Sequence, residues 1–367
     1  MSVSSKLKHW LLTLLKFILI FIIIFAFAAF IESYFKFKNP EFSKPIPDIT
    51  GLETYLETEE KKIQGITPNT EKTIKWYQQA GSKTEYAIVY MHGYSATRQE
   101  TAPLSTKLAE ALGANAYFTR LAGHGLADAR MADATLKEWK TDSIEAYEIA
   151  KRLGDKVIFV SVSTGSTLTT WLIDYLNQLG DHKIVAQVMI SPNFESRDMN
   201  LYILDWPFGL GVHAAKMITG KQEHYWEPHN KQQDIYWSNQ YDMKGLQPLA
   251  QILKDFKKVD KTTIQTPSLF IYSTKDTVVS VPAIVSNYKD WGSSIKDLVV
   301  YNESGDPSNH VLAGDILSPH SVAPMLAEIT DFLSENNIAQ VVNAPEAIEN
   351  TDVEIIGTEE AANTSAN

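Results

Sequence analysis

Five short, nearly continuous apolar runs constrain this chain most: Ala87–Met91, Val157–Val160, Ile184–Ile190, Leu269–Tyr272 and Leu298–Tyr301, each followed by a loop with Gly, Ser, Asn or Asp. Runs of this length that do not alternate with polar residues suit strands covered on both faces. Between them lie helical periods of three and four residues, as at Leu136, Trp139, Ser143, Tyr147, Ala150 and Leu153, and again at Val322, Met325, Leu326, Ile329 and Leu333. Strand and helix in alternation predict an α/β fold, with a mainly parallel sheet flanked by helices. The interval from Asn193 to Gln265 interrupts the pattern. It has no strand signal but is rich in rings: Tyr202, Trp206, Phe208, Tyr225, Trp226, Tyr236, Trp237 and Tyr241. We read it as a helical cap insertion, about 194–265, over the C-terminal edge of the sheet, its rings packed mostly against one another.

Ahead of the sheet, residues 10–31 (WLLTLLKFILIFIIIFAFAAFI) are polar only at Thr13 and Lys16. About 20 such residues cross a hydrocarbon core as a helix. The chain therefore divides into a tail (1–9), a transmembrane signal anchor (10–31), a juxtamembrane linker with the first strands (32–84), a domain (85–337) and a disordered acidic tail (338–367). A cleaved signal peptide is the rival reading, since Ala26-Phe27-Ala28 resembles a cleavage site, but its apolar region is usually only about 7–15 residues long. Lys6 and Lys8 on one side and Lys36, Lys38 and Lys44 on the other leave the positive-inside rule undecided. Long domains translocate largely regardless of charge. The expectation is a bacterial inner-membrane protein with its N-terminus in the cytoplasm and its catalytic domain in the periplasm.

The net charge of −11, with no compact basic patch, argues against nucleic acid as a partner. Absence of cysteine removes disulfides, thiolate catalysis and Cys-based metal sites. With no HExxH and no glycine loop following a strand (Gly209-Leu210-Gly211 lies in the insertion), neither a metal nor a cofactor is expected.

Chemistry is concentrated where the run KVIFVSV meets Ser163 and then TGSTLTTWLIDYLNQLG, whose Leu168, Trp171, Leu172 and Leu176 sit at helical spacing. Strand, sharp turn and helix form the setting of a nucleophile elbow. The usual pattern is Gly-x-Ser-x-Gly; Gly165 fits it, and Ser161 stands where the first glycine would be. Ser161 and Ser166 are rival serines. A serine hydroxyl needs a histidine base, and the histidine needs a carboxylate to orient it. Asp276 follows a strand-like run and His310 lies between the last run and the last helix; Asp306 and His320 are their competitors. The backbone N–H groups of Tyr94, after His92-Gly93, and of Thr164 are the candidate oxyanion donors. His92 and His124 are read as loop-shaping.

These segments, His92-Gly93-Tyr94, Arg120-Leu121-Ala122-Gly123-His124-Gly125, the elbow, Asp276-Thr277-Val278-Val279 and Asn309-His310, occur in an order that resembles the α/β-hydrolases of the monoacylglycerol lipase and carboxylesterase type, including serine aminopeptidase S33-like members. The resemblance covers about Glu85 to Asn337. It implies an α/β-hydrolase fold that cleaves carboxylic esters, lipid or acylglycerol esters among them, through Ser163, His310, Asp276 and an acyl-enzyme. Peptidase, thioesterase and acyltransferase activities share this fold, and a non-catalytic binding protein could retain it.

Overall fold

The computed structural model describes residues 3–127 and 130–343, with side chains from residue 7 onward. Helix α1 (Val3–Phe37) contains a stretch, Leu7–Phe37, long and apolar enough to cross a membrane. Helix α2 (Leu52–Glu60) and strand β1 (Thr73–Lys75) lead to β2 (Thr84–Met91), α3 (Leu104–Leu112), β3 (Asn115–Phe118), α4 (Leu136–Leu153), β4 (Gly154–Val162), α5 (Thr164–Leu179) and β5 (Ile184–Ile190). Next come α6 (Leu210–Thr219), β6 (Glu223–Tyr225), α7 (Lys231–Tyr236), β7 (Gln240–Asp242) and α8 (Gln247–Phe256). The chain returns to the sheet with β8 (Ser268–Tyr272), α9 (Val281–Asp290), β9 (Lys296–Val300) and α10 (Val322–Glu335).

Seven strands form one sheet in the order β1-β3-β2-β4-β5-β8-β9, parallel throughout except for β1 against β3. Side chains on successive strand residues point to opposite faces, and β2 divides accordingly. Ala87, Val89 and Met91 join the core beneath α4, α5 and α8, whereas Tyr86, Ile88 and Tyr90 join the core beneath α3 and α10. Both faces are covered over β2, β4, β5 and β8, which is why their apolar runs lack polar alternation; β9, at the sheet edge, has no buried residue and exposes Val300. Helix α4 starts with a capping box between Thr135 and Glu138, which satisfies two backbone donors at its exposed first turn.

Four features add to the sequence reading. The stretch 32–84, read as a linker passing into the first strands, packs on the domain: Leu52, Leu56 and Ile74 belong to the core. Its charges also pair inward, Arg120 forming a two-pronged bond to Glu60 (2.8 Å each) and Lys72 pairing with Asp142 and Glu145. The insertion contains an antiparallel ribbon, β6 with β7, where only helices were expected. Helix α8 sits against α5 and buries Leu249, Ala250, Ile252, Leu253 and Phe256, so the insertion ends before α8 in space. Each such large side chain contributes about 1.5–3 kcal/mol by leaving water, enough to hold α8 against α5. Ala339 is buried, and the Val342 N–H donates to the Ala111 carbonyl (2.9 Å), so the chain stays packed beyond Asn337. Residues 344–367, the rest of the expected acidic tail, lie outside the described residues.

Candidate active site

Ser163 occupies the turn between β4 and α5 with φ 51° and ψ −120°, a conformation costly for a residue with a Cβ. Strain of this kind costs about 1–3 kcal/mol and persists only where the surroundings impose it. Here the Ser163 N–H donates to the Ile190 carbonyl (3.0 Å), and its own carbonyl accepts from Asn193 (3.1 Å) and Ser166 (3.0 Å). A Cβ on Gly165 would stand 2.2 Å from the Met91 carbonyl oxygen and 2.6 Å from that of His92. Glycine is therefore required where α5 crosses the end of β2.

Ser161 is accommodated by hydrogen bonding. Fully buried on β4, its hydroxyl lies 3.1 Å from the Val188 carbonyl of β5 and 3.1 Å from Ser166 Oγ, and Ser166 in turn donates to the Ser161 carbonyl (3.2 Å). An unpaired buried hydroxyl would cost about 1–3 kcal/mol; this one is paired. The two rival serines thus bond each other under the turn, and Ser163 is the elbow serine that borders the cavity.

Asp276 and His310 come together from loops after β8 and β9, with His310 Nδ1 2.8 Å from Asp276 Oδ2. The other Asp276 oxygen accepts from the N–H groups of Val278 (2.7 Å) and Val279 (3.0 Å). Asp306, the competing acid, bonds the backbone instead: its Oδ2 accepts from the N–H groups of His310 (3.0 Å) and Val311 (2.8 Å). The Ser191 hydroxyl donates to the His310 carbonyl (2.7 Å), so the histidine loop is held from both sides. His320 is exposed in the turn before α10 and is not among the residues that line the cavity with His310. Burial disfavours a charge on His310, but the Asp276 carboxylate outweighs it and holds the imidazole above its ordinary pKa, with Glu100 and Asp306 adding to the effect.

Tyr94 and Thr164 line the same cavity as Ser163 and His310. The Tyr94 hydroxyl donates to the Gly245 carbonyl (3.0 Å), and its ring meets Trp139, His124 and Tyr241 edge-on, which fixes the loop that carries its N–H. Thr164 begins α5, where the first backbone donors have no partner within the helix. His92 and His124 are fully buried behind this loop. The Leu121 N–H donates to His92 Nε2 (3.0 Å), leaving His92 Nδ1 to donate to the Gly93 carbonyl (2.9 Å). Burial lowers His92 to about 4 and His124 well below its ordinary value, so both are neutral at physiological pH.

Glu100 carries no signal in the sequence, where it lies in the polar stretch T-R-Q-E-T. It is buried and borders the cavity. Its Oε2 accepts from the Gly93 N–H (2.8 Å) and the Tyr90 hydroxyl (3.1 Å). A Cβ on Gly93 would meet Glu100 Oε1 at 2.8 Å and Ser163 Cβ at 3.2 Å, so Gly93 leaves no room for a side chain beside this carboxyl and the Ser163 turn. Burial pushes it up to about 7, partly offset by the Gly93 N–H and the charge of His310.

The cavity measures about 420 Å³, with Trp226, Trp237 and Tyr241 of the insertion as its roof. The cap rings thus serve different ends: these three line the cavity, while Trp206, Phe208 and Tyr225 are exposed. Larger clefts of about 560, 640 and 600 Å³ lie elsewhere, two beside α2 and one between α4 and residues 42–46; none of them borders Ser163.

A doubly covered, mainly parallel sheet with a strained serine turn after a central strand, and an Asp–His pair on later loops, defines an α/β-hydrolase. The model of the serine aminopeptidase S33 family matches residues 82–305, and the chain belongs to that family. Among solved structures it is similar to one from work on the metagenome-derived lipolytic enzymes LipS and LipT (19% identity, TM-score 0.58, 74% of this chain and 99% of the other). It is also similar to a monoacylglycerol lipase of Paleococcus ferrophilus (14%, 0.52, 72% and 99%) and to a monoglyceride lipase of Saccharomyces cerevisiae (10%, 0.50, 73% and 96%). At these identities the likeness shows the fold. No curated protein matches the sequence.

Proposed function

We propose that the protein is a membrane-anchored serine hydrolase that cleaves carboxylic esters, with acylglycerols and other lipid esters as its substrate class. The observation that carries this reading is a strained Ser163 sharing one cavity with a His310 already paired to Asp276. In the proposed mechanism neutral His310 takes the proton from Ser163 through Nε2 as Oγ attacks the carbonyl. The resulting oxyanion is held by the N–H groups of Tyr94 and Thr164. His310 then protonates the leaving alcohol, and a water activated by the same imidazole releases the acid. Asp276 keeps the imidazole in the required tautomer and stabilises its cation. An aromatic roof favours apolar acyl chains, and lipolytic activity is named for the solved structures that share the fold.

The family's description as serine aminopeptidases favours a second reading, amide cleavage by the same residues. Full-length protein assayed on p-nitrophenyl esters of graded acyl length and on aminoacyl p-nitroanilides separates the two. Ester turnover that rises with acyl length and disappears in Ser163→Ala supports the proposal; turnover confined to the anilides overturns it. We assign helix α1 as an uncleaved single-pass anchor in a bacterial inner membrane, with the domain in the periplasm. Protease digestion of intact spheroplasts that removes the domain is the expected result, and a fully protected domain reverses the orientation.

A further inference from the structure

Twelve large apolar side chains outside α1 are exposed among the described residues, and six of them lie between positions 199 and 218: Met199, Trp206, Phe208, Leu210, Met217 and Ile218. The last two are 85% and 84% accessible at the end of α6. Scattered single exposures are ordinary, but six within one twenty-residue stretch point to an interaction surface.

This group continues the surface of the anchor helix. Asp205 pairs with Lys36 (3.0 Å), the Phe208 N–H donates to Glu32 Oε2 (2.8 Å), and the Phe208 ring meets Phe25 with centroids 5.5 Å apart. From Asp205 to Phe208 the cap thus descends α1 from residue 36 to residue 25, into the apolar run. Phe25 lies six residues inside Ile31, the end of that run, which at 1.5 Å per residue is about 9 Å along the helix. Irregular backbone survives at such depth only where its polar groups have partners. Phe208, at φ 57° in a non-helical turn, has one in Glu32. The charges of this stretch are matched too: Asp205 by Lys36 and Lys254, and Lys216 by Asp242.

We propose that the cap segment Met199–Thr219 is a wedge embedded in the lipid bilayer beside α1, so that the insertion roofing the active site is seated in the membrane. The proposal rests on the reading of α1 as a membrane span. The occupant of the apolar surface is the acyl-chain region of the bilayer, because the wedge reaches from Lys36 and Glu32, just beyond the apolar run, to Phe25 inside it. A catalytic cavity so placed receives substrates that reside in the membrane without their full transfer to water.

The chain has no cysteine, so single-cysteine variants of the full-length protein report one position each. Phe21→Cys, Phe208→Cys, Ile218→Cys and Glu328→Cys, labelled with a thiol-reactive NBD fluorophore, are reconstituted in phosphatidylcholine liposomes containing nitroxide-labelled acyl chains. Glu328 is exposed on α10, across the sheet from the core on which Phe37 packs. The expected result is severalfold stronger quenching at 21, 208 and 218 than at 328. Quenching at 21 with none above the 328 level at both 208 and 218 overturns the wedge while leaving the anchor standing; no quenching at 21 overturns the anchor and the wedge with it. Hydrolysis of a water-soluble short ester by the same samples tests the hydrolase reading separately, since none of the four positions lines the cavity.

Discussion

The floor of the cavity is built from paired polar groups, its roof largely from aromatic rings. Ser163, Asp276, His310 and Glu100 are each held by two or more hydrogen bonds, to backbone, to one another or to the side chains of Ser191, Asp306 and Tyr90. The backbone of the roof is bonded too, the N–H groups of Trp226 and Trp237 donating to the Asn239 and Gln233 carbonyls (3.0 Å each), but what Trp226, Trp237 and Tyr241 present to the cavity is ring surface. Directional bonds keep reacting atoms within a fraction of an ångström, whereas apolar contact tolerates sliding and suits chains of variable length. Changes in the floor should therefore act on turnover, and changes in the roof on substrate choice.

The largest separation of the two is expected from Asp276→Asn. Loss of the charge that orients and stabilises His310 should lower kcat on any ester by about 10³–10⁴-fold with little change in KM. A fall below tenfold would show that Asp276 does not serve the histidine. Trp226→Ala in the roof should do the reverse, raising KM for long acyl chains by about tenfold while sparing short ones. Equal losses on both chain lengths would erase the distinction between floor and roof.

A smaller effect is expected from pH. In the proposed mechanism His310 acts when neutral, so kcat/KM should rise with pH through its pKa. Because Asp276 holds that pKa above the ordinary value of about 6.5, the acidic limb should centre above it. Glu100 contributes to the same elevation and titrates near 7 itself, so the limb belongs to the pair. Glu100→Gln should move the limb to lower pH and make it a single titration. A pH profile unchanged from wild type would restrict Glu100 to holding Gly93. The smallest effect is expected for Ser161→Gly, which restores the common elbow pattern but removes a satisfied hydroxyl. Stability should change by about 1 kcal/mol, or about 2–4 °C in Tm for a domain of this size, with turnover nearly unchanged. A large gain in turnover would mean that Ser161 distorts the turn.

Much of the floor was legible in sequence because it follows local rules. Apolar runs marked β2, β4, β5, β8 and β9, and the strand–turn–helix setting singled out Ser163. Asp276 and His310 were reached from their order along the chain and the loops they occupy, and the structure places them 2.8 Å apart. Glu100 escaped notice because its burial is produced by a turn of the chain against Gly93 and Tyr90, which no periodicity records. The stretch 32–84 reads as a linker because Lys44, Glu60 and Lys72 look solvated, yet their partners Glu145, Arg120 and Asp142 lie far along the chain. Strands β6 and β7, three residues each, are too short for an alternating pattern to show. The cap rings were expected to pack together; their division between cavity and exposed face depends on which side of the insertion meets α1.

The central claim, that Ser163 is the nucleophile of this floor, is tested most directly by treating the full-length protein with a fluorophosphonate and locating the adduct by peptide mass spectrometry. The account predicts one adduct, on Ser163, formed more slowly in Asp276→Asn and absent from a folded Ser163→Ala variant. An adduct on Ser161, Ser166 or another serine, or none at all in protein whose cavity is open to the probe, would contradict it.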